Sequence, residues 1–125
     1  MFIIDADKTI HLTRGDAVFL DVTAEESPEV EYIFQEGDVV QLEVFEKGKH
    51  DNIVLTKRVF PVSGTYSVEI YLSSDDTRIG DTINKPKDYW YNIELNPDTL
   101  KKTLIGYDIK GPKVFRLYPE GVDAQ

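Results

Sequence analysis

The chain has 125 residues, about one domain's worth, and its 14 basic against 23 acidic residues leave a formal charge of −9. That charge excludes the basic footprint a nonspecific nucleic-acid binder needs. The lack of cysteine excludes disulfides, thiol nucleophiles and thiolate metal sites, and apolar runs of at most four residues fall far short of the about 20 that a membrane helix needs.

Hydrophobic residues make up 41% of the chain, enough for one core without metals or cross-links. A single domain is expected over residues 1–125. The opening segment Met1-Phe2-Ile3-Ile4-Asp5 has no basic stretch and no long apolar run, so no signal peptide is expected. The acidic balance favours solubility and, secondarily, basic partners.

The dominant period is two. Lys8 to Leu12 places Ile10 and Leu12 on one face. Arg14-Gly15-Asp16 then reads as a turn, since glycine takes positive φ and aspartate bonds nearby backbone. The same three letters spell a cell-adhesion tripeptide, but so short a match carries little information. Val18, Leu20 and Val22 alternate with Phe19 and Asp21, and Val40, Leu42 and Val44 alternate with Gln41 and Glu43. Glu36-Gly37-Asp38 precedes the latter strand and Glu46-Lys47-Gly48-Lys49 follows it. Ile53 to Phe60 is a strong β run, ended by Pro61-Val62-Ser63-Gly64. Tyr66, Val68, Ile70 and Leu72 form the next apolar face.

Ser73 to Gly80 breaks the rhythm. A serine N-cap, Asp75 and Asp76 in the first turn and a closing glycine predict one turn of helix. Tyr89, Tyr91, Ile93 and Leu95 alternate with Trp90, Asn92 and Glu94, and Asn96-Pro97-Asp98 ends that strand in a turn that Asn96 is expected to cap. Lys102 to Tyr107 and Lys113 to Tyr118 complete the set, and Gly121 to Gln125 are expected to fray. About eight strands at short spacing predict an all-β fold, a two-layer antiparallel sandwich of immunoglobulin-like shape with one helical turn.

Asp5, Asp7, Thr9 and Asp16 match positions of a calcium loop, but Ile10 stands where the loop needs glycine, and Ile10 and Leu12 read as strand. Helix-start acids account for Asp75 and Asp76. His11 and His50 are far apart, with no metalloprotease motif and no serine elbow. No catalytic residue, cofactor or metal is assigned. Trp90 faces away from Tyr89 and Tyr91, with Tyr71 and Tyr107 as candidate neighbours. Such an aromatic can stack on a sugar ring, anchor a protein partner or pack beneath a local cover. Ile53-Val54-Leu55 is an apolar edge candidate followed only by Lys57 and Arg58 as charges, and Phe2-Ile3-Ile4 is an apolar segment that fraying at the terminus would expose; one of the two is expected to meet a neighbouring chain by strand addition or apolar packing. The candidate interface is therefore Phe2, Ile3, Ile53, Val54 and Trp90.

Several phrases together carry a resemblance: Ile10 to Asp16, Tyr32 to Asp38, Val44 to Lys47, Asp76-Thr77, Tyr89 to Leu95 and Gly111 to Gly121. They resemble small phage and prophage proteins of Gram-positive bacteria. More distantly, Leu72 to Thr77 followed by Tyr89 to Leu95 is similar to the N-terminal domain of phage baseplate upper proteins, where an Asp-Thr phrase precedes an aromatic strand. The resemblance implies a non-enzymatic virion structural or accessory protein of the tail, baseplate or fibre region. Its partners would be other virion proteins or copies of itself, with no nucleic acid and no membrane. Its location would be the virion or the bacterial cytoplasm. The alternative is a carbohydrate-binding module using exposed tyrosine and tryptophan.

Overall fold

Alternation of buried and exposed side chains sets the register of the main strands. In the computed structural model, which describes residues 1–120, the chain runs β1 (Phe2–Ile4), β2 (Ile10–Thr13), β3 (Val18–Thr23), β4 (Glu25–Ser27), β5 (Val30–Glu31), β6 (Val40–Glu46), β7 (Lys49–Val59), β8 (Ser67–Leu72), α1 (Ser74–Thr77), β9 (Lys87–Leu95), β10 (Lys102–Ile105) and β11 (Lys113–Tyr118). The fold is all-β with one helical turn. Each of the eight expected strands is present, and the three further ones, β1, β4 and β5, are only two or three residues long. The expected fraying of Gly121 to Gln125 lies outside the described residues. No helix among the described residues is long and apolar enough to cross a membrane.

The largest sheet has seven strands in the order β1-β2-β11-β9-β6-β7, with β10 also paired to β9. A second sheet pairs β3 with β8, and β4 with β5 form a separate small hairpin. The expected purely antiparallel arrangement is corrected at one place, because β11 runs parallel to β2, with Phe115 opposite Ile10 and Leu117 opposite Leu12. A tight hairpin forces antiparallel pairing, and no such constraint links strands at opposite ends of the sequence.

The inward faces of both sheets join one core. It gathers Ile10 and Leu12, Val18, Leu20 and Val22, Val40, Leu42 and Val44, Ile70 and Leu72, the four residues Tyr89, Tyr91, Ile93 and Leu95, and Phe115 with Leu117. The alternation of β3, β6, β8 and β9 thus points the way the sequence predicts. One position differs: Tyr66 lies just before β8 and is 49% exposed.

Connections are fixed by polar groups. The helical turn has a capping box: the Asp76 amide donates to Ser73 Oγ at 3.1 Å, and the Ser73 amide donates to Asp76 Oδ2 at 2.9 Å. The Arg14-Gly15-Asp16 turn docks on this helix. Its Gly15 amide donates to Thr77 Oγ1 at 2.9 Å, and that hydroxyl donates to the Asp16 carbonyl at 2.8 Å. Arg14 is buried and donates to the Gly80 carbonyl at 2.8 Å, the Ile79 carbonyl at 3.4 Å and Glu120 at 3.3 Å. A guanidinium held inside this way is not displayed for a receptor, so the tripeptide is a structural turn. Asn96, at φ 51°, caps a different turn from the expected one. Its Oδ1 accepts the Val39 amide at 2.8 Å and its Nδ2 donates to Asp38 at 3.0 Å.

Asp38 also accepts the Tyr32 hydroxyl at 2.7 Å and the Gln35 amide at 2.8 Å. Burial opposes its ionisation, but these donors, Asn96 foremost, outweigh burial and hold the carboxyl below its usual range. Burial and the bond to Asp38 push the Tyr32 phenol up to about 12.

Two predictions follow from this packing. Ile70→Ala should cost about 2–5 kcal/mol in urea melts, whereas Glu69→Ala, exposed one position away, should stay within about 0.5 kcal/mol. Equal losses would mean a slipped register, since one residue of slip exchanges the faces. Asp38→Ala should cost about 1–3 kcal/mol at neutral pH, because three donors lose their acceptor. A depressed carboxyl contributes stability above its unfolded pKa, about 4, and loses it as pH falls through the lower folded value. The deficit of the variant should therefore shrink on acidification, and a pH-independent deficit would contradict the ionised clamp.

Candidate functional site

The outer face of the seven-stranded sheet carries the residues that the core leaves over. Along β9 these are Asp88, Trp90, Asn92 and Glu94. The ladders place Trp90 opposite Phe45 of β6 and Val114 of β11, and Phe45 opposite Ile53 of β7. An apolar row therefore crosses four strands on a face that is otherwise polar.

Two loops rise beside this row and make a cleft of about 270 Å³. On one side β7 is irregular where it faces Phe45 and Glu46, and His50 stands edge-on to Phe45, with ring centroids 4.8 Å apart at 78°. On the other side the chain passes from β10 through Gly106 to Tyr107. A Cβ at Gly106 would lie 2.7 Å from Thr103 Cγ2 of β10 and 3.5 Å from Asn92 Cβ of β9, so any residue but glycine here would crowd Thr103. Tyr107 then meets Trp90 at 6.3 Å and 65°.

Beyond Tyr107 a tight turn is held by paired backbone bonds between Asp108 and Gly111, at 3.1 and 2.9 Å. The Asp108 carboxylate accepts the Lys110 amide at 2.9 Å and Lys113 Nζ at 2.8 Å. Lys113, followed by the Lys110 amide, draws the Asp108 carboxyl below its usual range. The turn displays Ile109 fully to solvent, at 102% exposure.

Asn92 lines the cleft, and its Oδ1 is the one fully buried side-chain polar atom among the described residues without a hydrogen-bond partner. Its Nδ2 lies 3.5 Å from His50 Nε2. Lys113 is a cation already matched by Asp108, so the cleft has apolar walls with a few converging polar groups, the usual composition of a small-ligand site.

A second polar group lies on the same face. His11 has Asp5 Oδ2 at 2.7 Å from Nε2 and the Tyr118 hydroxyl at 2.7 Å from Nδ1. Beside it Arg116 donates to Asp88 at 2.7 and 3.2 Å. Arg116 lowers the Asp88 carboxyl, and Asp88 in turn holds the guanidinium firmly protonated. This carboxylate–imidazole–phenol array does not border the aromatic cleft. It ties the β1–β2 connection to the end of β11.

The remaining calcium-template residues have separate partners. Asp7 accepts the Thr9 amide at 2.9 Å, and Asp16 accepts the Met1 amino group at 2.8 Å. No cluster of three or more His, Asp or Glu side chains is placed to hold a metal among the described residues.

The five predicted interface residues divide. Ile3, Ile53 and Trp90 lie on the outer face, with Ile53 in the Trp90 row and Ile3 opposite His11 at the far edge. Phe2 lies opposite the core residue Leu12, and Val54 packs partly on the core. Of Trp90's candidate neighbours Tyr107 is present, whereas Tyr71 stacks on Phe19 of the other sheet at 4.9 Å. Sequence reasoning missed Phe45, His50 and Asn92. Phe45 had a signal, being an apolar residue on the polar phase of β6; His50 and Asn92 had none.

No protein-family model matches the chain, and no curated protein or solved structure matches it.

The Asp108 link predicts an acid-sensitive loop. With its carboxyl depressed, the contribution to loop order is complete above the ordinary value, about pH 4, and is lost as pH falls through the lower folded value. The protection factor of the Gly111 amide, taken relative to its intrinsic exchange rate at each pH, should fall across that range while that of Ile93, in β9, holds. Unchanged protection at Gly111 would mean that the backbone turn alone holds the loop.

Proposed function

We propose that this chain is a non-enzymatic structural component of a phage or prophage virion, in the tail, baseplate or fibre region, working through contacts with other virion proteins. We read its two main sheets as the unequal layers of an immunoglobulin-like sandwich. The observation that carries the proposal is β1. It is an edge strand whose residues are all apolar and all exposed: Phe2 38%, Ile3 52% and Ile4 45%. It is also tied down, with three register pairs to β2 and the Met1 amino group on Asp16.

An ordered apolar edge with one open ladder and no lysine or proline guard is suited to adding a strand from a neighbour. The opposite edge, β7, is built to resist such pairing. It has register irregularities beside Phe45 and carries Lys57 and Arg58. Four of the six phrases that resemble phage proteins lie on β2, β6, β9 and β11, strands of the same sheet as β1, and β2 is the strand that pairs with it. The location that fits is the virion, or the bacterial cytoplasm before assembly.

Self-association is the simplest form of this contact, and the charge of −9 opposes it. Raised salt screens that repulsion, so light scattering should show mass above monomer at high protein concentration and high salt. Ile3→Asp should return the monomer, and its incorporation into phage particles should fall, while Ile53→Asp should leave both readings near wild type. A wild-type protein that stays monomeric throughout, with Ile3→Asp recovered normally in particles, would defeat the proposal.

A further inference from the structure

The cleft beside Trp90 lies apart from the β1 edge, and its chemistry is that of a ligand site. The geometry points to a neutral pyranose ring as its occupant, a sugar unit seated between Trp90, Tyr107 and Phe45 and hydrogen-bonded to Asn92. Three features select this class.

The walls are aromatic and set at an angle. Trp90 and Tyr107 meet at 65° rather than lying coplanar, so they form a floor and a wall for one ring rather than a flat track for a chain. The C–H face of a sugar is the apolar surface such rings accept.

The polar demand of the cleft is met by a hydroxyl better than by an ion. Asn92 Oδ1 has no donor, and a buried unmet acceptor costs free energy that a ligand can recover. A hydroxyl both donates and accepts, so it pairs with the carboxamide in either orientation of its oxygen and nitrogen. The cleft's cation, Lys113, is matched by Asp108 at 2.8 Å, which leaves no uncompensated charge there to select an ammonium or a carboxylate.

Access is available without unfolding. Asn92 Oδ1 is enclosed in the free protein, and His50, with a side chain 64% exposed, lies beside the same carboxamide at its Nδ2. The polar contacts of His50, to Asn92 Nδ2 and to Glu43 Oε1, are both 3.5 Å long. A ring that turns aside under so weak a hold opens the carboxamide to a ligand and then offers its own nitrogens to a neighbouring hydroxyl.

Trp90 is the chain's single tryptophan, so its fluorescence reads the cleft directly. The purified protein would be titrated with the methyl pyranosides of glucose, galactose, mannose and N-acetylglucosamine, and then with neutral oligosaccharides. Saturable quenching or enhancement by at least one probe is expected, with a Kd on the order of millimolar. Tyr107→Ala should weaken it roughly three- to tenfold, the value of one aromatic contact. Asn92→Ala should weaken it too, and His50→Ala serves as a second variant should Asn92→Ala melt early. Phe19→Ala, on the other sheet, should bind as wild type. Failure of every sugar to saturate would overturn the assignment. So would unchanged affinity in Tyr107→Ala together with the Asn92 or His50 variant. Binding of peptides at Trp90 that no sugar displaces would also overturn it and make the cleft a protein contact.

Discussion

Strand β9 is hydrogen-bonded along both edges, and most of the molecule is arranged around that fact. β6 pairs with it from Tyr89 to Leu95 on one side, while β11 and then β10 share the other. A strand held on both edges cannot slip without breaking three ladders, and a slip of one residue would move Tyr89, Tyr91, Ile93 and Leu95 out of the core. The same alternation that buries those four residues places Trp90 and Asn92 outward. The core and the cleft are therefore two faces of one constraint, and the aromatic site inherits the rigidity of the best-paired strand.

The loops are held by a different force. Arg14, Asp38 and Asp108 each sit where the chain turns, and each gathers several partners around one charge. Arg14 collects the carbonyls that follow α1, Asp38 collects Tyr32, Gln35 and Asn96, and Asp108 collects Lys110 and Lys113. A buried charge is tolerable only when its hydrogen-bonding capacity is met. Arg14 and Asp38 are buried in this sense, and each joins segments distant in sequence, so each connection is committed to one geometry. Asp108 is more exposed and joins only near neighbours, and its loop depends correspondingly on pH.

Period-two patterning made the eight main strands legible, because burial on one face must repeat every second residue. The helical turn was legible because Ser73 and Asp76 are local signals with local causes; the closing glycine expected at Gly80 is not the cap, since the helix ends at Thr77 with Arg78 as its C-cap. β1, β4 and β5 were not, since strands of two or three residues are too short to show a period. The parallel pairing of β11 with β2 was also hidden: it joins Ile10 to Phe115, and nothing near either residue specifies a partner a hundred positions away. The site shows the same division. Trp90 and Tyr107 stood out by residue type and phase. His50 and Asn92 become neighbours only through the β6–β7 turn and the β6–β9 ladder. Asn96 shows how a correct residue acquires a wrong partner: it caps a turn, but Val39 and Asp38 reach it from the loop that leads into β6.

The parallel pairing also decides how the outer face is divided. Because β11 inserts between β2 and β9, the row Ile3, His11, Arg116 and Asp88 runs from the β1 edge to the sheet's centre. Asp88 is two residues from Trp90 on the same strand, so this row and the aromatic row are adjacent. Between the apolar edge and the aromatic cleft stand the Asp88–Arg116 pair and the Asp5–His11–Tyr118 array, whose charges and hydroxyls already have partners. A strip whose polar groups are internally satisfied gains little from a ligand or a neighbouring chain, since any new bond must replace an existing one. It separates two apolar surfaces that would otherwise merge into one larger patch. The proposed assembly contact at β1 and the proposed ligand at Trp90 then draw on different residues of one sheet and do not compete.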